Sequence, residues 1–214
     1  MPAPIPGHDC PLCPRLAGFR NENRAKYPDF FNGPVPAFGD TKPRLLIVGL
    51  APGLKGANRT GRPFTGDYAG DLLYATLGKY GFMAGTYRAD PNDGIRLKGA
   101  RITNGVKCVP PQNKPEPVEI KTCNGFLAGE IADLSSTKVM LALGLVAHQA
   151  VLNAVGAKRS AYKFGHGARH ELPDGRLLFN SYHCSRYNTN TGRLTERMFH
   201  DVFDKIAADL ARQE

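Results

Sequence analysis

Four short apolar runs punctuate this chain, each bounded by Pro, Gly or a charged residue. Lys42-Pro43 leads into Arg44-Leu-Leu-Ile-Val-Gly-Leu50. Arg101-Ile-Thr-Asn104 reads as the end of a second strand, Lys138–Leu143 as a third and Arg176–Ser181 as a fourth. Runs that are continuously apolar, rather than alternating, suit strands buried on both faces of a parallel sheet. Helical periodicity fills the intervals. Residues 67–80 carry Leu72, Leu73, Ala75 and Leu77 on one side, and Pro117–Ala132 follows the same pattern. Gly144 opens a helix containing Ala147, Val151 and Leu152. The last helix starts at Thr195, an N-cap with Glu196 in the first turn, and its stripe is Met198, Val202, Ile206 and Leu210.

Strands alternating with helices predict an α/β fold: a three-layer α/β/α sandwich around a short, mainly parallel four-stranded sheet, in one domain spanning residues 1–214. Residues 1–43 are rich in Pro and polar side chains and predict an ordered arm rather than a core element. Open sheets of this kind bind ligands beyond the carboxyl ends of their strands. The unusual residues of this chain sit there.

Composition narrows the classes. With 42% hydrophobic and 22% charged residues, a chain of 214 residues buries a sizeable core and is not disordered. The apolar runs are too short to span a membrane. The N-terminus lacks the layout of a signal peptide, so the expected location is the cytoplasm. Lys+Arg 28 against Asp+Glu 19 leaves a net charge of +9, which favours a polyanionic partner such as nucleic acid over a merely soluble basic protein.

Five cysteines do not make a simple disulfide framework. Cys10-Pro-Leu-Cys13 is one pair; Cys108 and Cys123, with fourteen residues between them, are another; Cys184 stands alone and reads as a buried, inert thiol. Four thiolates suit tetrahedral zinc or a [4Fe–4S] cluster, and spacing alone does not separate the two.

Three loops hold the candidate chemistry. The first runs from Gly49-Leu-Ala-Pro-Gly53 through Gly61-Arg-Pro-Phe-Thr-Gly-Asp67. Its glycines let backbone approach a ligand, and Phe64 offers a face for stacking a base. Asp67 is a carboxylate at a helix start, where a plain cap is the alternative. The second, Thr103–Pro115, contains Asn104 and Asn113, amides able to read a base edge or to make a turn. The third, Ser181–Arg193, places His183 after a buried strand and follows it with Ser185, Arg186, Asn188 and Arg193. That sequence suits a hydrogen-bond donor with phosphate contacts beside it.

Taken together, GLAPG from Gly49, GANRTGRPFTGD ending at Asp67, KCVPPQNKP from Lys107 and HCSRYNTNTGRLT from His183 resemble the type b, or family five, iron–sulfur uracil-DNA glycosylases. The resemblance runs from Cys10 to the last helix. It implies a [4Fe–4S] cluster on Cys10, Cys13, Cys108 and Cys123. It implies catalysis by Asp67 and His183, and a base pocket of Gly49, Ala51, Gly53, Phe64, Asn104 and Asn113. DNA contacts are expected from Arg62, Ser185, Arg186 and Asn188. A related iron–sulfur family has an acidic residue where this chain has Leu50, which cannot activate water, leaving Asp67 as its replacement. Uracil-specific members carry GQDPY in the first loop, whose aromatic ring falls on Gly53 here, so a wider pocket is expected.

The implied activity is that of a monofunctional DNA glycosylase acting in base excision repair. It excises uracil, and other deaminated or 5-substituted bases, from double-stranded DNA. The protein is expected to be a monomer associated with the nucleoid. No motif places a lysine for a strand-cleaving lyase step. A non-catalytic nucleic-acid-binding protein and an iron–sulfur nuclease are the competing classes.

Overall fold

The computed structural model describes residues 5–212, so the first four residues of the predicted arm lie outside it. Along the chain the elements are α1 (Pro14–Lys26), β1 (Phe38–Gly39), β2 (Leu45–Gly49), α2 (Ala57–Thr60), α3 (Tyr68–Lys79) and the short pair β3 (Met83–Ala84) and β4 (Arg96–Leu97). Then come β5 (Ala100–Asn104), α4 (Pro117–Asp133), β6 (Val139–Leu143), α5 (Leu145–Ala154), β7 (Arg169–Glu171), β8 (Leu177–Ser181), α6 (Arg186–Asn190) and α7 (Glu196–Ala211). β3 and β4 form a separate two-stranded sheet.

The four predicted strands are the parallel centre of the main sheet, which is longer than expected. Its order is β1-β5-β2-β6-β8-β7, with β1 and β7 antiparallel at the two edges. Strands of two and three half-exposed residues carry no readable apolar period, which is why the sheet has six strands and not four. In β2 every residue is buried. Leu45 and Ile47 face one cluster with Leu73, Leu77, Phe199 and Phe203 from α3 and α7. Leu46 and Val48 face the other, with Leu127, Ala147 and Val151 from α4 and α5. Both sides are therefore dry, and truncating Ile47 to Ala costs about 2–5 kcal/mol in lost contacts and cavity.

Helix boundaries follow local chemistry. α7 begins at Thr195, whose hydroxyl accepts from the Met198 amide at 3.2 Å. Glu116 and Glu119 close a capping box at the start of α4. Within α3, Leu73 and Leu77 are buried, whereas Ala75 points to solvent: Tyr74 and Thr76 take the inner positions instead. The arm also holds more than expected, since it contributes helix α1 and edge strand β1. α1 escapes a periodicity reading because its buried residues are Leu16, Arg20 and Asn23, two of them polar.

Candidate active site

Because β2, β5, β6 and β8 run parallel, their carboxyl ends share one edge, and the three loops meet there. The second loop is stitched to the first: the amides of Gly105 and Val106 donate to the carbonyls of Gly49 and Leu50, both at 2.9 Å. Between the loops lies a cavity of about 650 Å³ whose walls include Ala51, Gly53, Phe64, Asp67, Asn104 and His183, with Asn113, Ser185 and Arg186 at its mouth. A second cavity, of about 360 Å³, lies between the arm and α4 against Phe31, Val35, Phe126 and Leu134, and holds none of this constellation.

Asp67 occupies the N-cap position of α3, yet its side chain makes no capping bond. Its Oδ1 is buried without a hydrogen-bond partner among the described residues. Burial pushes its pKa above the ordinary carboxylate value, against an opposing pull from the amides of Gly70 and Ala69. The carboxylate lines the cavity while these two amides act on it without closing a capping bond. Removing the Cβ from the loop opposite makes the room: at Gly56 a Cβ would lie 2.7 Å from the Asp67 Cγ, and at Gly53 it would lie 3.0 Å from Oδ2.

Across the cavity, His183 and Phe64 stack with ring centroids 5.8 Å apart and planes 26° from parallel. Although some of the residue's surface meets solvent, the imidazole sits deep, and burial lowers its pKa to about 4. The ring is therefore neutral at physiological pH, with no hydrogen-bond partner among the described residues. Asn104, at the end of β5, is 3% exposed, and its Oδ1 also lacks a partner. Such orphans are rare in folded interiors and mark places where a ligand completes the bonding. A Cβ on Gly49 would collide with this oxygen and lie 2.7 Å from the Phe64 ring, so only glycine lets the three residues meet.

Phe64 itself has φ +55°, an unusual conformation for an aromatic residue. Its carbonyl accepts from the Tyr87 hydroxyl at 3.2 Å, and the carbonyl of Pro63 accepts from Tyr74 at 2.7 Å. Beneath them lies Arg62. Expected at the DNA surface, this residue is instead 5% exposed and bidentate on Asp93, with both N–O distances 2.8 Å. It also donates to the Thr65 hydroxyl at 2.7 Å, and it lies 5.1, 5.6 and 5.9 Å from the rings of Phe38, Tyr74 and Tyr87. The Arg62 guanidinium in turn holds the Asp93 carboxyl down at about 2. Arg62 buttresses the loop from inside.

In the third loop, the Ser185 hydroxyl caps α6 through the Asn188 amide, and the Asn188 side chain donates to the His183 carbonyl at 2.8 Å. These two residues thus shape the loop that presents His183. Arg186 is exposed, with its guanidinium 5.2 Å from the Tyr68 ring. Asn113, also exposed, stands at the rim with φ +57°. Tyr187, in the loop after Arg186 that the sequence offers for filling the vacated stack or gripping phosphates, is 71% exposed. Cys184 is fully buried, and its thiol donates to the Ala69 carbonyl at 3.3 Å.

The four remaining cysteines line one small cavity between α1, the loop after β5 and α4. Burial pushes Cys13 up to about 11 and Cys108 to about 12, and the neighbouring thiols Cys123 and Cys10 add to both shifts. The Lys107 amide donates to Cys123 Sγ at 3.3 Å. Among the described residues, no set of three or more His, Cys, Asp or Glu side chains is gathered closely enough to hold a single metal ion.

The family model of the uracil DNA glycosylase superfamily matches residues 36–210, and the mostly parallel sheet flanked by helices agrees with it; the chain belongs to that superfamily. Its relatives narrow the branch. It is 46% identical over 198 residues to the type-5 uracil-DNA glycosylase of Thermus thermophilus, covering 90% of each chain. It is 44% identical over 202 residues to that of Mycobacterium tuberculosis, covering 91% of this chain and 75% of the relative. The type-5 enzyme of Pyrobaculum aerophilum is 37% identical over 205 residues, covering 94% of this chain and 89% of its own.

Proposed function

We propose that this chain is a monofunctional DNA glycosylase that removes uracil, and with it other deaminated or 5-substituted bases, from double-stranded DNA. One observation carries the reading: Asp67, Phe64, Asn104 and His183 face a common cavity in which both Asp67 Oδ1 and Asn104 Oδ1 lack partners. Breaking an N-glycosidic bond puts positive charge on the sugar and negative charge on the base. In the bound complex Phe64 stacks on the extruded base, and Asn104 reads its edge. His183, neutral, donates a hydrogen bond to the oxygen of the departing base, while the Asp67 carboxylate stabilises the oxocarbenium-like sugar. As the C1′–N bond breaks, the base leaves with the electron pair. A water then forms the new C1′–O bond and gives its proton to Asp67.

Extruding the base costs a few kcal/mol, least at a mismatch such as U·G. On this reading Arg186 contacts a phosphate of the opened duplex and Tyr187, exposed beside it in sequence, fills the vacated stack. The protein acts as a monomeric single domain of residues 1–214, at the nucleoid in the cytoplasm.

Cys10, Cys13, Cys108 and Cys123 are the residues that would hold a [4Fe–4S] cluster. Four soft thiolates lining one cavity are the donor set that an iron–sulfur centre takes. When bound, the cluster supplies iron–thiolate bonds that tie the arm to the loop after Asn104. Purified protein should be brown, and Cys108→Ala should lose iron. A colourless, zinc-loaded and fully active preparation would overturn this assignment.

Breadth rests on Gly53, where no side chain narrows the cavity. The decisive experiment is a panel of duplexes carrying uracil, hypoxanthine, xanthine or 5-hydroxymethyluracil, read before and after alkali. Release of several bases, with nicks appearing only after alkali, supports the proposal. Uracil alone refutes the breadth; nicks without alkali indicate a lyase or nuclease; no release leaves a binding protein.

A further inference from the structure

Several cations around the arm are paired with carboxylates. Arg15 grips Glu119 through two bonds of 2.8 and 2.7 Å. Arg24 Nη1 lies 2.6 Å from Asp9, and Lys107 Nζ lies 2.7 Å from Glu130. Arg20, on α1, is only 4% exposed, yet among the described residues no carboxylate lies within ion-pairing distance of it. Its bonds run from Nη2 to the Cys10 carbonyl at 3.1 Å and from Nη1 to Cys108 Sγ at 3.8 Å. Its Nε is buried with no partner. A guanidinium stays protonated in proteins, and a buried charge is tolerated only where an opposite charge or a full set of bonds compensates it. The cavity that Arg20 faces is the one lined by all four paired cysteines.

We propose that Arg20 is the counter-charge of an anionic metal–thiolate cluster in this cavity and raises its reduction potential. The inference rests on the cluster reading above. Four thiolates outweigh the positive charge of an oxidised iron–sulfur core, so the assembled site is anionic, and reduction makes it more so. A fixed cation beside Cys108 stabilises the reduced form most; charge and hydrogen bonds at the sulfurs are what set such potentials. Arg20 also bridges the two halves of the site, since Cys10 belongs to the arm and Cys108 to the loop after β5. Lys107 also lines the cavity and its charge acts on Cys123, but that ammonium is shared with Glu130 and Thr103, and its bond to a sulfur comes from the backbone amide.

The test uses the full-length protein as purified, with Arg20→Gln, Arg20→Lys and Arg24→Gln alongside wild type. Iron content, visible absorbance and midpoint potential by protein-film voltammetry are the readouts. Arg20→Gln should shift the potential negative by at least tenfold in the one-electron equilibrium, about 59 mV. Arg20→Lys should lie closer to wild type, and Arg24→Gln should match it. If Arg20→Gln fails to retain iron while Arg20→Lys retains it, charge is again the requirement and the proposal stands. Unchanged potentials in both Arg20 variants would overturn it. So would loss of iron from both, because the role would then be one of shape. Wild type without iron–sulfur absorbance would instead remove the cluster reading on which the inference is built.

Discussion

Gly56 and Asp67 pack so closely that a Cβ on the glycine would lie 2.7 Å from the carboxylate carbon. Eleven residues apart in sequence, they form opposite sides of one wall of the cavity. Gly56→Ala should therefore displace Asp67 and lower the rate of base release by about tenfold or more with DNA affinity retained, while Asp67→Asn should lower it by roughly a hundredfold or more. Single-turnover kinetics and a binding titration on uracil duplex check both. Gly53→Tyr does more than narrow the pocket, because its Cβ already meets Asp67 Oδ2 at 3.0 Å; uracil release should fall as well.

The two central groups are shifted in opposite directions, which fixes the pH behaviour. Asp67 must be ionised to act, and burial raises its pKa, so the acid limb of the kcat/KM profile should lie above the ordinary value of 3.8. His183 is neutral down to about 4 and adds no limb near neutrality.

Stability follows the same signs. A carboxyl whose folded pKa is raised contributes stability below its unfolded value and loses it as pH rises through the folded one. His183, lowered from 6.5 to about 4, contributes above 6.5 and loses that contribution as pH falls toward 4. Asp67→Asn should thus melt at a higher temperature than wild type at pH 7, with the gap closing on acidification. Equal melting temperatures at pH 7 would mean that Asp67 is not strained when ionised.

Arg62 and Asp93 form a buried pair, and removing one partner leaves the other uncompensated, a loss of about 3–5 kcal/mol. Arg62→Ala should destabilise the fold and misplace Phe64, without changing the salt dependence of DNA binding. Arg186→Ala should instead reduce the slope of log affinity against log salt by about one, with stability unchanged. Binding titrations from low to high salt, beside thermal melts, distinguish the inner arginine from the outer one.

Tyr187→Ala should slow release from duplex DNA more than from single strands, because only the duplex leaves a gap to fill. A loss of about tenfold in duplex, with single-strand rates within about twofold of wild type, is the expected outcome. Equal losses on both substrates would place Tyr187 in the pocket rather than in the stack.

Much of the architecture was legible in the sequence because burial on both faces leaves a plain mark. A strand such as Leu45–Gly49, dry on each side, must be apolar throughout, and α7 must carry a stripe ending in Ile206 and Leu210. The chemistry-bearing residues were visible for a related reason: Asn104 and His183 are polar groups standing where apolar runs end, and Asp67 stands at the start of a helix. By itself, then, the chain determined its parallel sheet, the three loops and the residues worth testing. What only the tertiary structure decided are properties that depend on which side chains meet. Arg62 and Arg186 are both loop arginines by sequence; one found Asp93 and three rings, and the other found water and Tyr68. β1 and β7 exist because neighbouring strands offer edges to pair with, not because their own residues demand it. Arg20, in an arm where the sequence shows no helix, has no signal of its own until α1 is laid against the cysteine cavity. Periodicity reports the average polarity of a face, whereas the cost of a buried charge or an unpartnered oxygen depends on the one group that lies opposite.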